Sequence, residues 1–309
     1  MEKIDNKNFS NDEINLIELF QILFAGKWLI IGITSIASVI AIIYSLSLPN
    51  IYKSETLLTP VTAENSLSGA IQSFGGLASL AGGILPAEAA DSNSAKAIEK
   101  VSSLSFFVEK IMPNIFLPDL MAAQSWNSNN GKLIYDPEIY DVSSRSWVRE
   151  VEFPMQPEPT PQESYRSFTS HLDVKKDLKT GFITISIEHL SPVIAKEWLE
   201  VIVREINAFY REKDKTEAEA SVRYLAEQIS KTGYTEIKQV IANLAQRETQ
   251  KLTLIEANEF YVFDYIDPPA IMERKSKPVR SVICIIGALI GGIIGVIVVL
   301  IRFFKKHLK

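Results

Sequence analysis

Two uncharged apolar runs constrain the fold of this chain more than any other feature. Each is 21 residues long, over residues 28–48 and 281–301, and each begins directly after a basic residue, Lys27 or Arg280. About 20 apolar residues in a helix match the thickness of the hydrocarbon core of a bilayer. We therefore predict two transmembrane helices at these positions.

Each run has an ordinary alternative. The first could be a cleaved signal peptide, but such peptides have a basic start and an apolar region of roughly 7–15 residues. Here residues 1–27 carry three Lys against five Asp or Glu, which favours a retained anchor. The second run could be a buried core helix, but it is longer than such helices usually are.

Two spans place both termini on the same side of the membrane and divide the chain into five parts. These are an N-terminal segment at 1–27, the span at 28–48, a large domain at 49–280, the span at 281–301 and a tail at 302–309. The tail contains four basic residues and no acidic one. Because basic residues in short segments favour the cytoplasmic side, we predict that both termini are cytoplasmic.

The charge and cysteine content of the large segment narrow its partners and compartment. Residues 49–278 contain 24 basic and 32 acidic residues, a net charge of −8. This sign disfavours nucleic acid and anionic lipid surfaces as partners. The single cysteine, Cys284, lies in the second run, so the domain is free of disulfides, which is compatible with a bacterial periplasm.

Alternating apolar and polar residues predict several strands in the large domain. A strand at 51–59 follows the first run, a hairpin covers 168–175 and 182–187, and a strand at 260–266 precedes the second run. Short tethers join the first and last strands to the two runs, so we expect the sheet to lie near the membrane. Residues 94–112 have helical periodicity, and residues 124–162, rich in Asn, Ser and Pro, predict a surface loop.

A long helix is predicted from Ser191-Pro192 to about residue 231, since Ser is a good N-cap and Pro a good first helical residue. Its apolar stripe is interrupted at 211–219, and Thr232-Gly233 separates it from a second helix at 235–257. A helix that leaves the body of its domain can bury its apolar face only against a neighbour. This favours oligomerisation; the alternative is one helix packed wholly on its own sheet. The fold class is therefore an α+β membrane protein, with two transmembrane helices flanking an α/β base domain and long protruding helices.

Signatures of catalysis are missing from the sequence. His171, His189 and His307 occur singly, without the spacing of a metal site. Nucleophile, kinase and P-loop motifs are absent, and the glycines between Gly69 and Gly83 lack the spacing of a nucleotide fingerprint. We predict that the protein is not an enzyme and has no catalytic residue, cofactor or metal.

Small residues in both runs predict close helix packing. Gly287, Gly291 and Gly295 recur every four residues in the second run and leave one helix face nearly bare. Small residues also recur in the first run, at Thr34, Ser38, Ala41 and Ser45. Backbones of neighbouring membrane helices can approach closely at such faces, so these residues are our candidate packing sites.

Both ends of the chain resemble the Wzz-type chain-length determinants, the polysaccharide co-polymerases of Gram-negative inner membranes. At the N-terminal end the resemblance is carried by Glu13-Ile14-Asn15-Leu16-Ile17-Glu18-Leu19, Lys27-Trp28, and the stretch from Leu48-Pro49-Asn50-Ile51-Tyr52 to Leu58. At the C-terminal end it is carried by Asp267-Pro268-Pro269 and Lys277-Pro278-Val279-Arg280 before the glycine-rich run. Pro268, Pro269 and Pro278 then form a juxtamembrane proline motif that is sparser than the family's, since residues 270–276 lack proline.

The resemblance implies an inner-membrane protein with cytoplasmic termini and a periplasmic domain that assembles into a homo-oligomeric ring. Such proteins set how many repeat units a Wzy-type polymerase adds to lipid-linked O-antigen of lipopolysaccharide, without catalysing the addition. Direct contact with the lipid-linked polysaccharide, and contact through residues 69–83, stay open.

Two other functions compete with regulation of O-antigen length. One is an adaptor or co-polymerase for a different surface polysaccharide, such as capsule, common antigen or exopolysaccharide; a following tyrosine-kinase domain or a Tyr-rich tail would favour the capsule branch, and the tail at 302–309 has no Tyr. The other is a two-span periplasmic sensor. A sensor needs a cytoplasmic output module, for which segments of 27 and eight residues leave no room.

Overall fold

The structure is a computed structural model that describes residues 16–61, 88–258 and 260–307. The glycine-rich stretch at 69–83 and the first three residues of the motif at 13–19 lie outside these residues. The chain divides into two units, one formed by its two ends, up to Pro49 and from Lys277, and the other by residues 50–276.

The first unit contains the two apolar runs as helices. Helix α1 spans Leu16–Ala25, α2 spans Lys27–Ser47 and α8 spans Arg280–His307. Both α2 and α8 are long and apolar enough to cross a membrane, and of their apolar windows 6% and 17% is buried. A core helix of a water-soluble protein would be mostly buried, so this low burial favours two spans.

A four-stranded antiparallel sheet forms the centre of the second unit. Its strands are β1 (Tyr52–Pro60), β6 (Leu172–Lys176), β7 (Ile183–His189) and β8 (Phe263–Asp267). They lie in the order β6-β7-β1-β8. Strand β1 pairs with β7 from Tyr52 opposite His189 to Leu58 opposite Ile183. It pairs on its other edge with β8, so the strands nearest to the two runs are neighbours in one sheet.

Two long helices follow the sheet strand β7 in sequence. Helix α6 spans Pro192–Lys231 and α7 spans Thr235–Ala257. The predicted start of α6 is confirmed, since the Ser191 side chain accepts a hydrogen bond from the backbone N–H of Ile194. The predicted break after α6 is confirmed as well, because both helices end or begin around Thr232 and Tyr234.

The core of the second unit lies between the sheet and the first half of α6. Ile183, Ile185 and Ile187 alternate inward from β7 and are fully buried. They meet a row on α6 that recurs at helical spacing, Leu199, Ile202 and Ile206, also fully buried. Period two on the strand and period 3.6 on the helix thus bring one continuous apolar layer together.

Several predicted elements differ from the structure. The helix expected at 94–112 is interrupted: α3 (Glu88–Val101) ends, and Ser103 caps a new turn at Leu104–Phe106, which continues as a π-helical turn at Phe107–Ile111 and a 3₁₀ turn at Met112–Asn114. Residues 168–171 belong to α5 (Pro161–His171) rather than to a strand. The last strand begins at Phe263, three residues later than predicted.

The predicted surface loop at 124–162 contains regular structure. Helix α4 (Leu117–Met121) leads into two small hairpins, β2 (Ala123–Asn127) with β3 (Lys132–Tyr135) and β4 (Tyr140–Asp141) with β5 (Ser146–Trp147). Edge-to-face ring contacts join Tyr135 to Tyr140 and Tyr140 to Trp147. Cross-strand aromatic pairs stabilise such short ladders, and the composition of the segment concealed them.

Candidate functional site

The three glycines predicted to form a packing face lie against α2. A Cβ added at Gly291 would come within 2.5 Å of the Ala37 Cβ and 3.1 Å of the Thr34 Cα, and one at Gly295 within 3.0 Å of the Ile30 Cα. At Gly287 an added Cβ would collide with the Ala41 Cβ. The backbones of α2 and α8 therefore approach at a distance that only glycine allows at these three positions.

The small residues predicted in α2 divide into two groups. Ala41 faces Gly287, and Ser45 is buried to 1% exposure. Ser38 instead donates its hydroxyl hydrogen bond to the Thr34 carbonyl, 2.8 Å away in its own helix. The register of the antiparallel pair places Ala37 and Ile30 opposite Gly291 and Gly295, and the sequence prediction did not include these two residues. The role of the small residues in membrane packing stays a prediction.

Another close approach was missed at the start of α2. A Cβ added to Gly26 would lie 2.6 Å from Val299 Cγ1 of α8. Gly26 also separates α1 from α2. Its position next to Lys27, directly before the uncharged run, was the available signal.

The predicted juxtamembrane prolines fall into different units. Pro268 and Pro269 follow β8, and three hydrogen bonds hold the end of β8 and the segment after the prolines beside β1. The Thr56 hydroxyl donates to the Asp267 carbonyl at 2.7 Å, the Ser54 hydroxyl to the Ala270 carbonyl at 2.9 Å, and the Ser276 N–H to the Ile51 carbonyl at 2.8 Å. Unit 50–276 thus begins and ends at the same place. Pro278 lies outside it, directly before α8.

Asn207 forms a buried polar clamp between α6 and the chain that returns from α7. Its side-chain oxygen accepts hydrogen bonds from the backbone N–H groups of Tyr261, Val262 and Phe263 at 3.0, 2.7 and 3.0 Å. Its amide nitrogen donates to the carbonyls of Val203 and Phe263, both at 3.0 Å. Both amide hydrogens and both lone pairs of the Asn207 side chain are thus used to fix where β8 begins.

Tyr261 makes a second connection at the same place. Its hydroxyl donates to Asp214 Oδ2 at 2.6 Å. Burial, and then the bond to the Asp214 carboxylate, raise the pKa of Tyr261. Burial likewise raises the pKa of Tyr265 to about 12. Both phenols stay neutral at physiological pH and act as structural groups.

His189 and His171, the two histidines of the large domain, lie 6.2 Å apart between ring centroids. The His189 Nδ1 accepts from the Ser191 N–H, and its Nε2 donates to the Asp119 carbonyl, each at 3.0 Å. Burial against Trp198 lowers the pKa of His189 to about 4, so the ring is neutral. With both nitrogens engaged, His189 has no lone pair left for a metal ion.

The remaining titratable groups form no catalytic arrangement in the parts of the chain that the structure describes. Within those residues no group of three His, Cys, Asp or Glu side chains is placed to hold a metal ion. The Glu163 carboxylate pairs with the Arg149 guanidinium, whose hydrogen bond holds the pKa of Glu163 below its usual value. Arg149 also donates to the carbonyls of Gln156 and Pro157, so this pair fixes a proline-rich turn.

Comparison with protein families finds a match at the N-terminal end of the chain. The family model described as "Wzz: Chain length determinant protein" matches residues 12–103. This confirms the resemblance predicted from the sequence over the first third of the chain. No curated protein matches the sequence.

Solved structures give a weaker likeness over more of the chain. A full-length bacterial polysaccharide co-polymerase is 14% identical, with 95% of this chain and 99% of that chain covered and a TM-score of 0.43. A fragment of WzzB, a polysaccharide co-polymerase from Salmonella Typhimurium, is 15% identical, with 74% and 100% covered and a TM-score of 0.32. Both TM-scores lie below 0.5.

Proposed function

We propose, from the similarity of residues 12–103 to chain length determinant proteins, that this chain is a non-catalytic polysaccharide co-polymerase of a bacterial inner membrane. It regulates the length of O-antigen chains as a homo-oligomeric scaffold beside a Wzy-type polymerase. The match to the family model carries this proposal. Its N-terminal part, residues 12–61, includes the first apolar helix, the tether after it and strand β1.

The arrangement of the membrane tethers supports the proposal. Residues 50–276 form one unit whose first and last residues are joined by the hydrogen bond from Ser276 to Ile51. Two helices long enough to span a bilayer flank that unit in sequence. We infer that this domain is periplasmic and that its sheet lies at the membrane.

The composition of the domain supports a scaffold rather than an enzyme. Two of its buried polar side chains, Asn207 and His189, are engaged in backbone hydrogen bonds that join one element to another. Groups that serve catalysis need a free lone pair or proton near a cavity. These two side chains instead fix the fold, which is what a scaffold requires.

Comparing lipopolysaccharide from cells with and without the gene on a silver-stained gel tests the proposal. We expect loss of the gene to change a clustered chain length into a random, short-biased distribution. An unchanged ladder would contradict O-antigen as the polysaccharide. A parallel change in capsule, common antigen or exopolysaccharide length would assign the same regulatory role to that polymer.

The glycine face gives a matched pair of variants for the same assay. Gly291→Leu places a side chain where a Cβ already meets Ala37 and Thr34, whereas at Gly292 the nearest atom is the Thr34 Oγ1 at 3.8 Å. We expect Gly291→Leu to change the chain-length distribution or the oligomer size, and Gly292→Leu to change both much less. Equal effects of the two would mean that close helix packing plays no part.

A further inference from the structure

The distal halves of α6 and α7 form an antiparallel helical hairpin with exposed apolar side chains on one side. Four of them are large and between 43% and 61% exposed: Tyr224, Ile237, Val240 and Leu244. The residues of α7 that turn toward α6 are Ile241, Ala245, Leu252 and Ile255, which are half-buried or buried. The four exposed residues are therefore more than this pair of helices can cover.

Helical phase places the exposed residues together. At about 100° per residue, Val240 and Leu244 lie on the same side of the row that faces α6. On α6, Tyr224 is rotated about the helix axis in the same direction from Leu225, which faces α7. In an antiparallel pair of helices, residues rotated in the same direction from the contact row lie on the same side of the pair. Counted from the turn at Gly233, Tyr224 is level with residue 242. Tyr224, Val240 and Leu244 thus form one patch, which we call the knob side.

The opposite side of the hairpin has a different shape. Ala226 and Ala242 are rotated in the opposite direction from the contact row and are exposed. Because their side chains are small, this side is flat at the level of Tyr224 and Val240. Nearer the sheet it contains a groove of about 540 Å³, lined by Glu219, Thr249, Leu252, Thr253, Glu256 and Ala257. We call this face the groove side. One side is therefore bulky at the level where the other is flat.

The charged side chains also differ between the knob side and the groove side. Arg247 and Lys251 are exposed on the knob side of α7, with Glu217 on that side of α6. Glu219 and Glu256 line the groove, where Lys215 forms a salt bridge with Glu256 at 2.5 Å. By count from the turn, Arg247 is level with Glu219. By the same count Lys251 is level with Lys215, which is paired with Glu256, so Arg247 and Glu219 are the charges that match in height.

We propose that the knob side of one copy packs on the groove side of the next copy. Val240 then covers Ala226, Tyr224 covers Ala242, and Arg247 faces Glu219 at the same height. Because two different surfaces meet, the contact is heterologous and repeats from copy to copy. Matching at equal heights fits copies related by rotation about an axis along the hairpin. The inference rests on the proposed self-assembly and not on which polysaccharide is regulated.

Cysteine cross-linking in the full-length chain in its membrane tests this contact. In a Cys284→Ala background, Val240→Cys and Ala226→Cys are level but lie on opposite sides of one hairpin. A disulfide needs Cα atoms within about 7 Å, so this pair can join only different copies. We expect oxidation to give a ladder of dimers, trimers and larger species with the double variant, and monomers with each single variant.

Two results would overturn the proposal. Dimers from Val240→Cys alone would mean that identical sides meet, and a missing ladder would place the contact elsewhere. The matched control combines Val240→Cys with Arg223→Cys, which lies on the outer edge of α6 away from both sides. A ladder from this control equal to that of the test pair would also contradict the specific contact.

Charge exchange provides an independent test of the same faces. We expect Arg247→Glu and Glu219→Arg each to reduce the oligomer fraction roughly fivefold, as like charges then meet across the interface. The double exchange should restore it, and failure to restore it would contradict the pairing. A cross-linked ladder in cells whose polysaccharide lengths do not depend on the gene would keep this contact and reject the proposed function.

Discussion

The two halves of α6 belong to one unbroken helix, but only the first half is covered by its own chain. Leu199, Ile202 and Ile206 are fully buried in the first half, and Ala218 is the last buried residue of the helix. Helix α7, which pairs with the second half, has Ile255 as its buried residue, near the sheet. The base of the second unit therefore has a core of its own, whereas the hairpin has one helix pair and exposes large apolar side chains.

The two halves of α6 therefore contribute to different processes, the first half to folding of the single chain and the second half to assembly of several copies. A buried apolar row against a sheet stabilises a single copy. Two helices in water with half of their apolar residues exposed gain little from each other, and their stability depends on a further surface. Substitutions at the base should therefore change the stability of the single chain, and substitutions on the hairpin should change assembly.

The largest effect is expected at Asn207. Asn207→Leu keeps the size of the side chain but leaves the N–H groups of Tyr261, Val262 and Phe263 without their acceptor. Buried unsatisfied donors cost about 1–3 kcal/mol each, so we expect a loss of about 4 kcal/mol. Urea unfolding of the full chain in detergent, followed by tryptophan fluorescence, measures it. Asn243→Leu on exposed α7 is the control and should change stability by less than about 0.5 kcal/mol.

A direct comparison of the two halves uses one apolar truncation in each. Ile202→Ala at the base removes fully buried methyl groups, and we expect a loss of about 3 kcal/mol. Val240 is 58% exposed, so Val240→Ala should change the unfolding free energy by less than about 0.5 kcal/mol. Similar losses for both variants would break the distinction between base and hairpin.

Periodicity explains which parts of this architecture could be predicted from the sequence. The uncharged runs, the Ser191 cap and the break at Gly233 are local signals, and the structure has each of them. The small hairpins between Ala123 and Trp147 contain aromatic contacts across the strands β4 and β5 and between the two hairpins, at Tyr140 with Trp147 and with Tyr135, which no local composition shows. The clamp at Asn207 joins residues more than 50 positions apart, so its partners are fixed by topology.

The glycine face was predicted in part for the same reason. Spacing identifies Gly287, Gly291 and Gly295 within one helix. Which residues of α2 face them depends on the register of two helices that are more than 230 residues apart in sequence. Ala37 rather than Ser38 meets Gly291, and the one-residue difference changes the side of the helix.

Acid should destabilise the base through His189. Because the folded pKa is about 4 against an ordinary value of 6.5, the unfolded chain takes up a proton that the folded chain does not. Stability is complete above about pH 6.5 and falls as the pH decreases toward 4, by up to about 3 kcal/mol. His189→Gln can keep both hydrogen bonds without titrating. We expect its urea midpoint to fall less over this pH range than that of the unsubstituted chain, and parallel curves would contradict a neutral His189.

The smallest effect on stability is expected at Glu256. This residue separates an effect on folding from an effect on assembly most clearly. The Lys215 ammonium holds the pKa of Glu256 below its usual value, but both side chains are exposed and water screens their pairing. We expect Glu256→Gln to leave the urea midpoint unchanged and to weaken assembly, measured as the oligomer fraction by native mass spectrometry. Exposed Glu227 pairs with Lys231 in the same way near the end of α6, and Glu227→Gln should leave both quantities unchanged. If Glu256→Gln lowered the midpoint and the oligomer fraction together, the hairpin would be part of the folding core and its separation from the base would be wrong.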